Sequence, residues 1–124
     1  MIYRTLEQVQ ASKFDVDFGN GRSRRFLTER DHMGFTLTDT VINAGSESEL
    51  QYARHLEACY CLSGDGELQV GERVYALEPG VLYAPNEHDR HIVRAKTELR
   101  FVCVFLPALS GDERHSAGAG ASGY

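Results

Sequence analysis

The sequence predicts an all-β fold, a small barrel or sandwich preceded by one short helix. Two observations carry that expectation. Strand-like runs rich in β-branched and aromatic residues follow one another from Ser23 to Leu106. Glycine turns punctuate them at Gly64-Asp65-Gly66, Gly71-Glu72 and Glu78-Pro79-Gly80, without the strand–helix alternation of βαβ units.

The helix is expected over Thr5 to Ala11. Thr5 is a good N-cap, and Gln8 three residues on completes a capping box that satisfies two backbone donors. Gly19-Asn20-Gly21 breaks the chain, and strands are expected from Ser23 through Phe26 and Leu27 and again over Met33 to Asn43. Leu56 to Leu62 forms the next strand, Leu68 to Val70 and Val74 to Leu77 a hairpin, and Val81 to Ala84 a short strand. Ile92 to Ala95 and Leu99 to Leu106 close the set.

With 124 residues, 42% hydrophobic and 25% charged, the chain has the size and composition of one domain that buries a single core. That domain is expected over residues 1–115, with the small-residue run 116–124 as a mobile tail. A net charge of −5 argues against nucleic-acid or anionic-membrane partners. The one basic cluster, Arg22, Arg24 and Arg25, reads as a solvated strand start. The N-terminus has no signal-peptide core, and no segment approaches a membrane span. Three cysteines without a C-x2-C pair suggest free thiols in a reducing cytoplasm.

The stretch from Gly45 to His91 carries the chemistry. Gly45, Gln51, Ala53, Glu57 and Gly64 keep the spacing G-x5-H-x-H-x3-E-x6-G, with Gln51 and Ala53 in the two histidine slots. Glu78-Pro79-Gly80-Val81-Leu82-Tyr83 answers P-x-G-x2-H-x3-N, with Tyr83 in the histidine slot. These frames resemble the two cupin motifs. The resemblance implies a cupin-type β-barrel, or jelly roll, whose pocket chemistry has been rebuilt.

Strand alternation would put Gln51, Ala53, His55, Glu57, Cys59 and Cys61 on the inward face and Leu56, Ala58, Tyr60 and Leu62 on the outer one. On the last strand Phe101, Cys103 and Phe105 share a face, and alternation cannot say which face is core. Cys59 and Cys61 are read as small buried hydrophobes rather than as a thiolate metal site. A buried Glu57 needs a partner. Glu57 and Tyr83 stand at two cupin ligand slots, with His88 and His91 both placed near the pocket mouth. Carboxylate, phenolate and imidazole would form a mixed oxygen/nitrogen site suited to iron(II), with zinc or manganese as alternatives.

More of the chain carries a narrower likeness. Arg22-Ser23-Arg24-Arg25, His55-Leu56-Glu57, His88-Asp89-Arg90-His91, Val102-Cys103-Val104-Phe105 and Pro107 through His115 resemble the ectoine synthase family, as do Met1 to Glu7. The resemblance implies a cytoplasmic, metal-dependent homodimer. Its reaction closes Nγ-acetyl-L-2,4-diaminobutyrate to the cyclic amidine ectoine with loss of water. It implies Glu57, Tyr83 and His91 as iron ligands, and Ser23, Thr40, Tyr52, Phe105, Glu113 and His115 as positions for substrate binding or activity. Tyr52, Glu113 and His115 are the catalytic candidates. Two departures stand out: Gly21 replaces a family tryptophan, and Glu49-Leu50-Gln51-Tyr52 replaces H-x-H-Y. Simple alternation also puts Tyr52 opposite Glu57, so a pocket role for both requires a break in the strand. The competing expectations are a related cyclodehydratase acting on another acylated diamino acid, a metal cupin of oxygenase or isomerase type, and a non-catalytic small-ligand-binding cupin.

Overall fold

A computed structural model describes residues 1–86 and 88–111. Helix α1 spans Leu6–Gln10, and Thr5 caps it as expected: its side chain accepts from the Gln8 amide while the Gln8 side chain accepts from the Thr5 amide. Ten strands follow: β1 (Asp15–Asp17), β2 (Gly21–Leu27), β3 (Thr36–Ile42), β4 (Glu47–Leu50), β5 (Leu56–Ser63), β6 (Gly66–Val70), β7 (Arg73–Leu77), β8 (Leu82–Tyr83), β9 (His91–Ala95) and β10 (Leu99–Leu106). The short strands β1 and β4 carry too little apolar pattern to stand out in the sequence. They form because each has a longer neighbour to pair with, β2 and β9 respectively.

The strands make two antiparallel sheets. One runs β1-β2-β3-β10-β5-β8, the other β4-β9-β6-β7. Among the described strands the sheets face each other without closing, so the expected barrel is a two-sheet jelly-roll sandwich. The core between them centres on Phe101, Phe105, Leu99, Leu77 and Val93, all buried. Burying each phenylalanine contributes about 1.5–3 kcal/mol.

Register decides which residues meet on the inner face of the larger sheet. Across β3, β10, β5 and β8, one row reads Thr38, Cys103, Cys59, Tyr83. The rows on either side read Ser23, Thr40, Phe101, Cys61 and Thr36, Phe105, Glu57. Phe101, Cys103 and Phe105 are therefore the core-facing set of β10, which alternation alone left open. Leu56, Tyr60 and Leu62 point outward as expected.

Two expectations are corrected. The inward face does not extend back to Gln51, Ala53 and His55, because residues 51–55 are not strand: Gln51 and Ala53 are exposed, and His55 is partly so. There the chain passes from β4 in one sheet to β5 in the other, and the alternation restarts. The arginine cluster is not a solvated strand start either. Arg22 is exposed, but Arg24 is buried against Asp39, and Arg25, 2% exposed, donates to the Gly111 carbonyl at 2.6 Å and to Ser23 Oγ.

Candidate metal centre

The site lies between the sheets. Glu57 comes from the start of β5, next to the edge of the larger sheet, Tyr83 from its edge strand β8, and His91 from the first position of β9 in the smaller sheet. Tyr52 reaches the same place from the crossing between β4 and β5. Its ring meets His91 edge-on at 5.5 Å and Phe105 at 5.9 Å between centroids. The rings of Tyr83 and His91 lie 6.0 Å apart. The sheet crossing resolves the parity conflict, letting Tyr52 and Glu57 both point inward.

His91 is 1% exposed. Its Nδ1 lies 3.0 Å from the Asp89 carbonyl, which can only accept, so Nδ1 carries the proton and Nε2 presents a lone pair. Burial lowers the imidazole pKa and keeps the ring neutral. No protein group among the described residues meets that Nε2, nor Oε1 of Glu57, which is 5% exposed. Burial pushes the Glu57 carboxyl up to about 7, partly offset by hydrogen bonding from Cys59 and Tyr52. Burial likewise raises the Tyr83 phenol, with the charges of Cys59 and Glu57 adding to it. Buried polar atoms are rarely left without partners. A neutral imidazole with its far nitrogen fixed by a carbonyl, beside a carboxylate and a phenol, is a donor set that fits a divalent cation.

Two spaces adjoin these groups. An inner cavity of about 20 Å³ touches Glu57, Cys59, Cys103, Thr40, Tyr52 and Tyr83. A cleft of about 640 Å³ opens at Tyr83 and His91, walled by Tyr75, Leu77 and Val81.

With this geometry in hand, the likenesses to known proteins are specific. The family model described as ectoine synthase matches residues 1–122. The chain belongs to the ectoine synthase family. An L-ectoine synthase from Oceanobacillus iheyensis is 46% identical over 118 residues, covering 93% of this chain and 91% of that protein. The crystal structure of ectoine synthase from P. lautus superposes with a TM-score of 0.86 at 45% identity, over 90% of this chain and 81% of that one. An RmlC-like cupin from Shewanella frigidimarina matches with a TM-score of 0.64 at 17% identity, over 76% of this chain and 82% of that one, and so shares the fold alone. Membership makes the chain an enzyme of the hydro-lyase class, built on a cupin fold.

Within the family frame, Glu57, Tyr52, Tyr83 and His91 converge at one place. Thr40 lines the inner cavity, and Ser23 lies directly opposite it on β2. Phe105 pairs with Glu57 across β5 and β10. His88 is exposed, and its backbone amide donates to the Tyr52 carbonyl and so braces the crossing. Glu113 and His115 lie outside the described residues, as do the end of the 1–115 domain and the 116–124 tail. Sequence reasoning missed Cys103, whose Sγ lies 3.1 Å from that of Cys59. Cys61, the expected neighbour, turns toward the Ser63 carbonyl. The signal was available only through register, since nothing in the local sequence ties residue 59 to residue 103.

Proposed function

We propose that the chain closes Nγ-acetyl-L-2,4-diaminobutyrate to ectoine, with Glu57, Tyr83 and His91 holding an iron(II) ion, or zinc or manganese in its place. The observation that carries this reading is the pair of unmatched buried atoms, Glu57 Oε1 and His91 Nε2, presented from facing sheets beside the Tyr83 phenol. When bound, the cation supplies Lewis-acid polarisation of an acyl oxygen.

In the reaction the α-amine nitrogen bonds to the acetamide carbonyl carbon, and the former carbonyl oxygen leaves as water to form C=N. The cleft at Tyr83 and His91 has room for the acylated diamino acid. Holding amine against carbonyl there converts orientation into rate. Ser23, Thr40 and Phe105 take the substrate-binding roles the family implies, and contact with Thr40 requires the 20 Å³ inner cavity to widen. Phe105 and the Tyr52 ring exclude water from the reacting centre. Tyr52, Glu113 and His115 are assigned the proton transfers, from the attacking amine and to the departing oxygen.

The outer face of the larger sheet supports a homodimer. Leu56, Tyr60, Leu62, Leu82, Val104 and Leu106 leave an apolar surface there, each more than a third exposed. Three free thiols suit a reducing cytoplasm, and no described helix is long and apolar enough to cross a membrane.

The test is to incubate the full chain with Nγ-acetyl-diaminobutyrate and iron(II), follow the cyclic product, and measure bound metal. Ectoine formation with about one iron per chain is expected; metal-free protein with full activity would sink the ligand assignment. Gly21 and the exposed Gln51, which donates to the His88 carbonyl, favour one second reading, another acylated diamino acid as substrate. Running such an analogue in the same assay and comparing kcat/KM distinguishes the two.

A further inference from the structure

Glu57 faces two donor sets. One is the Tyr83 and His91 pair; in the other, one ligand atom each from Glu57, Cys59 and Cys103 lies within 4.8 Å of the others. We propose that Glu57, Cys59 and Cys103 form a second, overlapping site for thiophilic divalent cations such as Zn²⁺ and Cd²⁺, which competes with the Glu57, Tyr83 and His91 set for the one carboxylate.

Several observations converge on it. Cys103 and Cys59 are direct partners across β10 and β5, so the two strands hold both thiols in place. They are buried and free, with Sγ atoms 3.1 Å apart. Two thiolates on one tetrahedral zinc, at about 2.3 Å each, stand roughly 3.8 Å apart. The pair must therefore open by roughly 0.7 Å, a side-chain rotation. The inner cavity of about 20 Å³ touches all three residues, and the carboxylate of Glu57, which keeps one oxygen unmatched among the described residues, is a member of the cluster. A space of that size accepts a single ion or water and no organic ligand. Softness then sorts the metals: thiolates select zinc and cadmium, whereas carboxylate, phenolate and imidazole suit iron(II). Capture by the sulfur set releases the two thiol protons to solvent and involves no electron transfer. It also draws Glu57 away from Tyr83 and His91, so thiophilic ions act as inhibitors competitive with iron. This consequence rests on the ligand assignment under Proposed function; the existence of the sulfur site does not.

The probe is Co²⁺ added anaerobically to the metal-free full chain. A cobalt–thiolate centre shows sulfur-to-metal charge transfer in the near ultraviolet, which oxygen and nitrogen ligands alone do not produce. The band is expected at one equivalent. Cys59→Ser and Cys103→Ser should each remove about half or more of its intensity, while Cys61→Ala and His91→Ala retain it. Thermal unfolding identifies any variant that fails to fold, and Cys103→Ala then serves in place of Cys103→Ser. A cobalt complex without the band, or a band that keeps its full intensity after loss of either Cys59 or Cys103, overturns the site. Zinc added to iron-loaded protein should release about one iron per chain; retention of both metals overturns the sharing of Glu57. If the band appears in protein that binds no iron, the ligand assignment fails and the sulfur site stands. If iron binds and the band is absent, the reverse holds.

Discussion

Two carboxylates are buried in the larger sheet, and they are treated in opposite ways. Asp39 on β3 is 8% exposed and lies between two arginines: Arg24 Nη2 reaches Oδ1 at 2.6 Å, and Arg100 bridges both oxygens. Burial alone would raise its pKa, but hydrogen bonds from Arg100 and Arg24 outweigh that and hold it below its ordinary 3.8. Glu57 on β5 is more deeply buried, has Cys59 and Tyr52 rather than a cation donating to it, and is pushed up to about 7 by burial. The first carboxylate is a structural ion pair closed within the protein. The second accepts hydrogen bonds from Cys59 and Tyr52 but keeps Oε1 unmatched among the described residues, the electrostatic setting in which the proposed cation would find a ligand.

The sharpest way to break this contrast is to remove each carboxylate in turn. Glu57→Ala should abolish stoichiometric metal and lower activity by more than the roughly 10–100-fold typical of losing a supporting residue around a metal. The fold should survive, because no buried cation is orphaned. Metal analysis and the cyclisation assay read this directly, and a variant with full metal and full activity would refute the ligand role.

Asp39→Ala should do the reverse. It leaves Arg24 buried without a counter-charge, at a cost of about 3–5 kcal/mol, seen as a lower midpoint in chemical denaturation. Bound metal per folded chain should stay unchanged. Loss of metal with unchanged stability would reverse the roles assigned to the two residues.

A smaller effect is expected at Gly21, where the family tryptophan is missing. A Cβ built there would lie 2.0 Å from the Val41 carbonyl oxygen, in the backbone of the neighbouring strand β3. Gly21→Trp should therefore destabilise by about 1–3 kcal/mol as an overpacked position and should not improve KM. A gain in both stability and KM would show that the strand spacing adapts readily.

The smallest effect is confined to acid. Asp39 has a depressed folded pKa, so its contribution to stability is complete above the unfolded carboxylate value near 3.9. It is lost as pH falls through the folded value, below 3.8. Asp31, held low by its hydrogen bonds to Arg4, adds in the same direction. Stability measured from neutral pH down to about 2 should fall below pH 4, and Asp39→Asn should flatten that limb.

Much of the candidate site was legible because local spacing carries it. Glu57 and Tyr83 occupy positions set by glycine-bearing motifs, and one strand's alternation placed Glu57, Cys59 and Cys61 on a common inward face. Tyr52 escaped that logic because the chain changes sheets between residues 51 and 55, where period-two reasoning has no strand to act on. The arginines were misjudged for a related reason: a strand of charged residues looks solvated until Asp39 is paired beside Arg24 by the β2–β3 register.

The sequence by itself determined the order of the longer strands and turns and the short capped helix, and its resemblance pointed to the family. The strands and the helix follow from spacing along the chain, the family from shared motifs. Only the tertiary structure decided that His91, from the opposite sheet, brings its ring to Tyr83, that the core-facing side of β10 is Phe101, Cys103 and Phe105, and that Cys59 faces Cys103. Those are pairings between residues distant in sequence, set by inter-strand register and sheet packing, and no local pattern encodes which two strands become neighbours.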